Sequence, residues 1–137
     1  MDPKMFCFQC QETAGNTGCL IKGVCGKLPS TARLQDLLLF VVRGISVAER
    51  LLRQNGINVE REIYVFNTDA LFCTITNANF DDQAILNKVD KGVSLKRDLL
   101  SLACENHVAL PDYREVKWGG EKVDYETEGN REGVLRT

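Results

Sequence analysis

The feature that most constrains this chain is the crowding of four of its six cysteines, Cys7, Cys10, Cys19 and Cys25, into the opening segment. A chain of 137 residues can bury a core of its own, so it does not need cross-links to stay folded. Closely spaced cysteines in a reducing compartment more often bind metal or do redox work than form disulfides. The sequence therefore predicts an opening loop shaped around a metal.

Nothing in the sequence predicts a membrane or a nucleic-acid partner. The longest apolar run, residues 37–42, is short beside the roughly 20 residues that span a bilayer. Lysines and arginines are scattered, and the net charge is −2, so no polyanion-binding surface is expected. The first residues lead into cysteines rather than into an apolar signal region, which favours a cytoplasmic location.

Three regions differ in composition. Residues 1–28 combine four cysteines with four glycines and little apolar periodicity, which predicts an irregular loop. Residues 29–106 are periodic and nearly free of proline, which predicts a helical domain. Residues 107–137 mix Pro111 and glycines with charged side chains, which predicts an irregular tail.

The periodic region predicts three helices and an all-α fold. The first begins at Pro29, with Ser30 or Thr31 as its N-cap, and ends at Gly56. The second covers about residues 59–76. Apolar residues at helical spacing define the expected buried faces, which are Leu34, Leu37, Leu38, Val41, Ile45, Ala48 and Leu52 on the first helix, and Val59, Ile63, Phe66, Ala70 and Cys73 on the second.

The third predicted helix follows residue 79 and continues to about Cys104, with Asp81 and Asp82 complementing its dipole. Its expected buried face consists of Ile85, Val89, Val93, Leu99 or Leu100, and Ala103. Short connections between the helices imply antiparallel neighbours, so we expect an up-down-up three-helix bundle. We expect both Cys73 and Cys104 to be core residues, His107 to cap the end of the third helix, and the aromatic residues of the tail to pack or to dock other domains.

The cysteine spacing suits four-fold ligation. Cys7 and Cys10 are two residues apart, so a short loop directs both sulfurs at one metal, and Cys19 and Cys25 complete the set. Glycines between them allow positive φ and bring backbone N–H groups close to sulfur. The nearby Lys4, Lys22 and Lys27 would offset negative charge, and the apolar side chains of Phe6, Phe8, Leu20, Ile21 and Val24 would exclude water.

Spacing alone leaves the metal open between iron–sulfur, zinc and a redox disulfide pair. His107 is the only histidine and is remote in sequence, so a mixed Cys/His zinc site is not favoured. Zinc ribbons use two tight Cys-x2-Cys knuckles, whereas this loop has one. The pattern also differs from the two common ferredoxin spacings.

The sequence resembles the N-terminal part of the hybrid cluster proteins, also called hydroxylamine reductases or prismane proteins. The segments that carry the resemblance are residues 5–14 (MFCFQCQETA), 16–19 (NTGC), 23–27 (GVCGK), 34–38 (LQDLL), 43–45 (RGI) and 70–80 (ALFCTITNANF). In that family, cysteines at this spacing hold a 4Fe–4S cubane. The resemblance therefore implies a 4Fe–4S cluster on Cys7, Cys10, Cys19 and Cys25, in a helical domain.

Family members are several times longer, and their hybrid cluster, where hydroxylamine or nitric oxide reacts, is ligated by residues of later domains whose motifs do not occur here. The resemblance thus implies an electron-transfer domain that lacks the reaction centre and is inactive alone. Its expected partners are the remaining domains of a longer parent chain and a redox partner protein. The alternatives are a structural module whose four cysteines bind zinc, and a free-standing hydroxylamine reductase.

Overall fold

The computed structural model describes residues 4–75, 81–125 and 127–129. Its helices are α1 (Pro29–Gln54), α2 (Arg61–Ile75), α3 (Asp82–Glu105) and the short α4 (Arg114–Lys117). Two 3-10 turns, Ala14–Asn16 and Lys122–Asp124, lie before and after them. The described residues contain no β-strand, only one isolated bridge, so the predicted all-α class is confirmed.

Helix α1 begins as predicted at Pro29, but its N-cap is Leu28 rather than Ser30 or Thr31, and no side chain caps it. Leu28 is extended, as a residue before proline must be, and proline at the first helical position has no N–H that needs a partner. The predicted end is confirmed, because α1 stops at Gln54 and Gly56 adopts a φ of +77°.

The predicted buried faces are largely confirmed. Helix α2 begins at Arg61, so Val59 precedes it, and its buried side chains include Ile63, Phe66, Ala70 and Cys73. The end expected at residue 76 lies outside the described residues, as does most of the connection expected at residues 77–81. Helix α3 buries Leu99, while Leu100 is only half-buried. Asp81 caps α3, accepting hydrogen bonds from the backbone N–H groups of Gln83 and Ala84.

Side-chain contacts show how the helices run. Tyr64 donates a hydrogen bond to Glu49 (2.9 Å), and one turn away Asn67 donates to Ser46 (3.5 Å), so residue numbers rise along α2 as they fall along α1. The Thr31 hydroxyl donates a hydrogen bond to Asp82 near the starts of α1 and α3, whereas Gly44 packs against the Lys96 side chain further along both helices. In these contacts α2 runs antiparallel to α1, and α3 runs in the same direction as α1. The main core lies between α1, α2 and α3.

The described part of the tail, residues 107–125 and 127–129, contains α4 and the second 3-10 turn and packs closely on the bundle. A Cβ at Gly44 would lie 2.0 Å from the Glu115 carbonyl oxygen, so glycine is needed where α4 crosses α1. The Trp118 ring lies 5.7 Å from the Phe40 ring and 5.8 Å from the Tyr125 ring. Trp118 and Tyr125 therefore pack within the molecule, whereas Tyr113 remains exposed.

A buried lysine on α3 holds α4 against the bundle. Lys96 on α3 has no exposed surface, and its ammonium group donates hydrogen bonds to the backbone carbonyls of Glu115 and Trp118. Burial, and then the positive charge of Arg97, lower the pKa of Lys96 to about 8, although Glu115 opposes the shift.

Two predictions for the end of α3 need correction. Cys73 is buried as predicted, but the prediction of a buried Cys104 is wrong, because the buried stripe at this end of α3 consists of Leu99 and Ala103 and leaves Cys104 exposed. His107 does follow the helix, yet its backbone N–H rather than its ring bonds the Cys104 carbonyl (3.2 Å).

Candidate metal centre

The opening loop folds back on itself and places Cys7 beside Cys19. The N–H of Cys7 donates to the Cys19 carbonyl (3.1 Å), and the N–H of Cys19 donates to the Cys7 carbonyl (2.9 Å). This pair forms the isolated antiparallel bridge. Backbone N–H groups of Lys4 and Met5 extend the pairing to the Leu20 carbonyl. The first and third predicted ligands are therefore fixed as neighbours by the backbone.

Glycine is required at the return of this loop. Gly18 has a φ of +123°, which L side chains rarely adopt, and a Cβ there would lie 2.6 Å from the Phe6 ring. The chain reverses just before it, in the 3-10 turn where Gly15 has a φ of +58°. These two positions let Cys19 return to Cys7.

A second tight turn positions Cys25. The N–H of Gly23 donates to the Lys27 carbonyl (2.8 Å), and the N–H of Gly26 donates to the Gly23 carbonyl (2.9 Å). A Cβ at Gly23 would lie 2.9 Å from the Lys27 Cβ and 3.2 Å from the Cys25 sulfur. The absence of a side chain at Gly23 thus leaves room for the Cys25 thiol on the inner side of the turn.

All four predicted ligands line one small cavity, with a volume of about 10 Å³. The other residues around it are Gln9, Glu12, Thr13, Gly23, Val24 and Lys27. Cys19 is buried, Cys7 and Cys10 are half-buried, and Cys25 is exposed; none of these thiols is in a disulfide. Neither Cys73 nor Cys104 lines the cavity. The structure therefore brings together the four cysteines that spacing singled out and keeps the other two apart.

Hydrogen-bond donors surround the Cys19 sulfur. Burial by itself would raise the pKa of the Cys19 thiol, but backbone N–H groups of Ala14 and Val24, the Thr13 hydroxyl and the charge of Lys27 together lower it. The N–H of Ala14 lies 3.5 Å from the sulfur, and the Thr13 oxygen lies 3.6 Å from it. These groups favour a negatively charged sulfur, which is the form that binds metal.

Only one of the three lysines expected to offset this charge reaches a sulfur. The Lys27 ammonium lies 3.5 Å from the Cys7 sulfur and donates to the Gln9 side-chain oxygen at 3.0 Å. Lys27 is buried, whereas Lys4 and Lys22 are exposed. The sequence placed all three lysines near the cysteines, and only the fold of residues 23–27 distinguishes them.

The apolar side chains expected to exclude water are mostly on the surface, so that prediction is wrong. Phe8, Leu20, Ile21 and Val24 are about half exposed or more, and only Phe6 is half-buried, over Gly18. Short loops bonded through their backbones have no second layer behind them to bury these side chains. The small buried cluster of the loop consists instead of Met5, Cys19 and Ala32, with Cys7 packed against it.

Thr13 is a site residue that spacing did not reveal. Its side chain is buried, its hydroxyl donates to the Cys7 carbonyl (3.2 Å), and it also lies against the Cys19 sulfur. It therefore bridges the two paired cysteines. A buried threonine six residues from each of the two paired cysteines leaves no periodic signal, and only its place inside the cysteine segment hinted at a role.

The donor set fits a thiolate-ligated metal group. Four thiols, backbone N–H donors to sulfur and one buried cation share a cavity, as the chemistry of such a group requires. In residues 4–75, 81–125 and 127–129, no three His, Cys, Asp or Glu side chains are already spaced for a single metal ion. No helix in the same ranges has the length and hydropathy to cross a bilayer.

Comparison with known proteins gives the class of this chain. Residues 5–132 match the sequence model of the Prismane/CO dehydrogenase family. Among similar curated proteins are the hydroxylamine reductase of Bacteroides fragilis, 52% identical over 134 residues, and that of Bacteroides thetaiotaomicron, 51% identical over 133 residues. The hydroxylamine reductase of Porphyromonas gingivalis is 44% identical over 137 residues.

The chain therefore belongs to the Prismane/CO dehydrogenase family. The alignments cover 97% to 99% of this chain but only 24% to 25% of those three relatives. The chain thus spans about a quarter of the length of the hydroxylamine reductases that it resembles. The resemblance drawn from the cysteine motifs is confirmed, as is its restriction to one part of the longer proteins.

Proposed function

We propose that this chain is an iron–sulfur electron-transfer domain, with a 4Fe–4S cluster held by Cys7, Cys10, Cys19 and Cys25. The observation that carries the proposal is the convergence of these four thiols on one cavity. Four thiolates are the usual ligands of such clusters, and the family match makes iron–sulfur more plausible than zinc. When bound, the cluster would supply a site that gains and loses one electron.

The chain's own residues would bind the cluster, orient its ligands and offset its negative charge. The bridge between Cys7 and Cys19 fixes the separation of two ligands, and the turn at Gly23 directs Cys25 toward them. The N–H of Ala14 donates a hydrogen bond to the Cys19 sulfur, and the Thr13 hydroxyl lies 3.6 Å from the same sulfur. Such donors stabilise the more negative, reduced state and so influence the reduction potential.

Reduction of hydroxylamine belongs, in this proposal, to a larger assembly. The relatives that carry that activity in their names have three quarters of their length outside the region this chain matches. We place the reaction centre there and assign electron relay alone to this chain. Its partners would be those domains and a redox protein, in a cytoplasmic setting.

Exposed apolar side chains in and next to the cysteine loop offer the contact surface that a relay needs. Phe8, Ile21, Val24 and Leu28 are each more than half exposed around the loop. Apolar side chains that cluster at a surface commonly mark a protein interface. A partner covering these side chains would also shield the loop from water.

Anaerobic reconstitution with iron and sulfide tests the proposal. We expect a broad absorption band in the visible range that bleaches on addition of dithionite and returns on reoxidation. A zinc-loaded chain should show neither change and serves as the redox-silent control. A chain that takes up zinc but no iron and sulfide under these conditions would support the structural alternative and refute electron transfer.

A further inference from the structure

Lys27 is buried in an unusual way. Only 2% of its surface is exposed, although lysine almost always keeps its ammonium in water. Its stem packs where a Cβ on Gly23 would collide with it, so the turn at residues 23–27 holds the side chain inward. The ammonium is thus placed by the backbone of the loop rather than left to a flexible surface position.

The partners of this ammonium are a sulfur and an amide. It lies 3.5 Å from the Cys7 sulfur and donates to the Gln9 oxygen at 3.0 Å. In the part of the chain that the structure describes, no carboxylate pairs with it. A buried cation without an anion is costly, so the geometry calls for negative charge on the sulfur side.

We propose that Lys27 is the positioning residue that compensates the charge of the cluster and raises its reduction potential. This inference rests on the proposed function, because it concerns the group that Cys7 helps to hold.

The direction of the effect follows from the charge balance. On reduction, one electron passes from a reductant such as dithionite to the cluster, and no bond forms or breaks. The site becomes more negative by one unit, so a fixed positive charge nearby favours the reduced state. Because burial limits screening by water and salt, Lys27 should matter far more than an exposed lysine in the same loop.

The test compares four reconstituted chains of 137 residues: wild type, Lys27→Met, Lys27→Arg and Lys22→Met. Lys27→Met keeps the apolar stem and removes the charge, whereas Lys27→Arg keeps the charge. Lys22 is exposed in the same loop, so Lys22→Met makes the same change in net charge without the contact. Iron and sulfide content and an EPR-monitored redox titration are measured for each.

We expect Lys27→Met to lower the ratio of reduced to oxidised cluster about tenfold at a fixed potential, a shift of 59 mV for a one-electron couple. Lys22→Met and Lys27→Arg should change this ratio less than about twofold. Loss of the cluster from Lys27→Met alone would equally support a need for the charge. Equal shifts in Lys27→Met and Lys22→Met, or cluster loss from both Lys27 variants, would overturn the inference.

Failure of the proposed function gives a different result. A wild-type chain that binds no iron and sulfide refutes both proposals. A wild-type chain with a reducible cluster whose potential is indifferent to Lys27 refutes this inference alone. The two proposals are therefore separated by one set of samples.

Discussion

The opening loop and the helical bundle are stabilised by different interactions. The bundle buries large apolar side chains from three helices, among them Phe40, Ile45 and Leu52, which are at most 1% exposed. Among the described loop residues the only buried apolar side chains are Met5 and Cys19, which pack with Ala32 of α1 in a separate small cluster, and the loop relies on backbone hydrogen bonds around glycines. The hydrophobic effect therefore suffices for the bundle but not for the loop.

This difference indicates a division of labour. A region that can fold by its own burial serves as a scaffold, while a region that needs a bound group couples its order to that group. Helix α1 links the two, because Ala32 packs against Cys19 while its later residues form the main core. Changes in one region should thus leave the other largely intact.

Removal of one ligand should give the largest effect. We expect Cys19→Ala to reduce iron from about four atoms per chain to less than about one, because an open site loses the cluster. Helical circular dichroism should persist, since the main core is untouched. Cys104→Ala is the matched control, being an exposed cysteine outside the cavity, and it should keep its iron. Unfolding of the helices in Cys19→Ala would contradict the inference that the bundle folds independently of the loop.

Truncation of a core aromatic residue tests how the helical bundle is stabilised. Phe40 contacts Trp118 and is 1% exposed, so Phe40→Ala should lower the free energy of unfolding by about 3–5 kcal/mol. Phe72→Ala removes an equal side chain from a site that is 62% exposed and should cost less than about 0.5 kcal/mol. Urea denaturation measures both, and equal losses would contradict the described core.

The contact between α4 and the bundle should depend on pH. Lys96 has a pKa of about 8 in the folded chain against 10.5 ordinarily, so between these values the unfolded chain binds more protons. The free energy of unfolding should then rise with pH, at most about 1.4 kcal/mol per unit. Denaturation between about pH 7 and 9.5 measures this slope, and Lys96→Met should abolish it.

Stopping the pH series at about 9.5 avoids an opposing effect from Tyr125. Burial, and then the hydrogen bond to Asp90, raise the pKa of Tyr125, so its contribution to stability falls at still higher pH. A slope that is equal in wild type and in Lys96→Met would show that Lys96 is not desolvated as described.

The smallest predicted effect concerns the cap of α3. Asp81→Ala removes the acceptor of two backbone N–H groups and should cost about 1 kcal/mol. Asp81→Ser keeps an acceptor oxygen and should recover most of this loss. Thermal unfolding of the two variants gives the difference, and iron content should be the same in both. An equal loss in both variants would mean that Asp81 acts through some other contact.

The sequence predicted the bundle well because its signal is periodic. Stripes such as Ile85, Val89 and Val93 can bury only one face of a helix, and the structure buries them. The N-cap of α1 was misplaced because a pre-proline residue and a serine both suit a helix start. Cys104 was misjudged because one position near a helix end carries little information about which face it occupies.

Less of the candidate site could be predicted, since tertiary geometry decides it. Spacing identified the four cysteines, and the structure brings them to one cavity. Spacing did not predict that Thr13 bridges the paired cysteines or that Lys27, unlike Lys4 and Lys22, is buried beside them. Those facts depend on turns at Gly18 and Gly23, whose shape no local pattern specifies. The exposure of Phe8 and its neighbours depends on what else covers the loop.

The most direct test is elemental analysis of the chain purified without oxygen from the cells that produce it. The account predicts about four iron atoms and about four sulfides per chain, with little zinc. Zinc at one atom per chain without sulfide, or four free thiols after reconstitution, would contradict it.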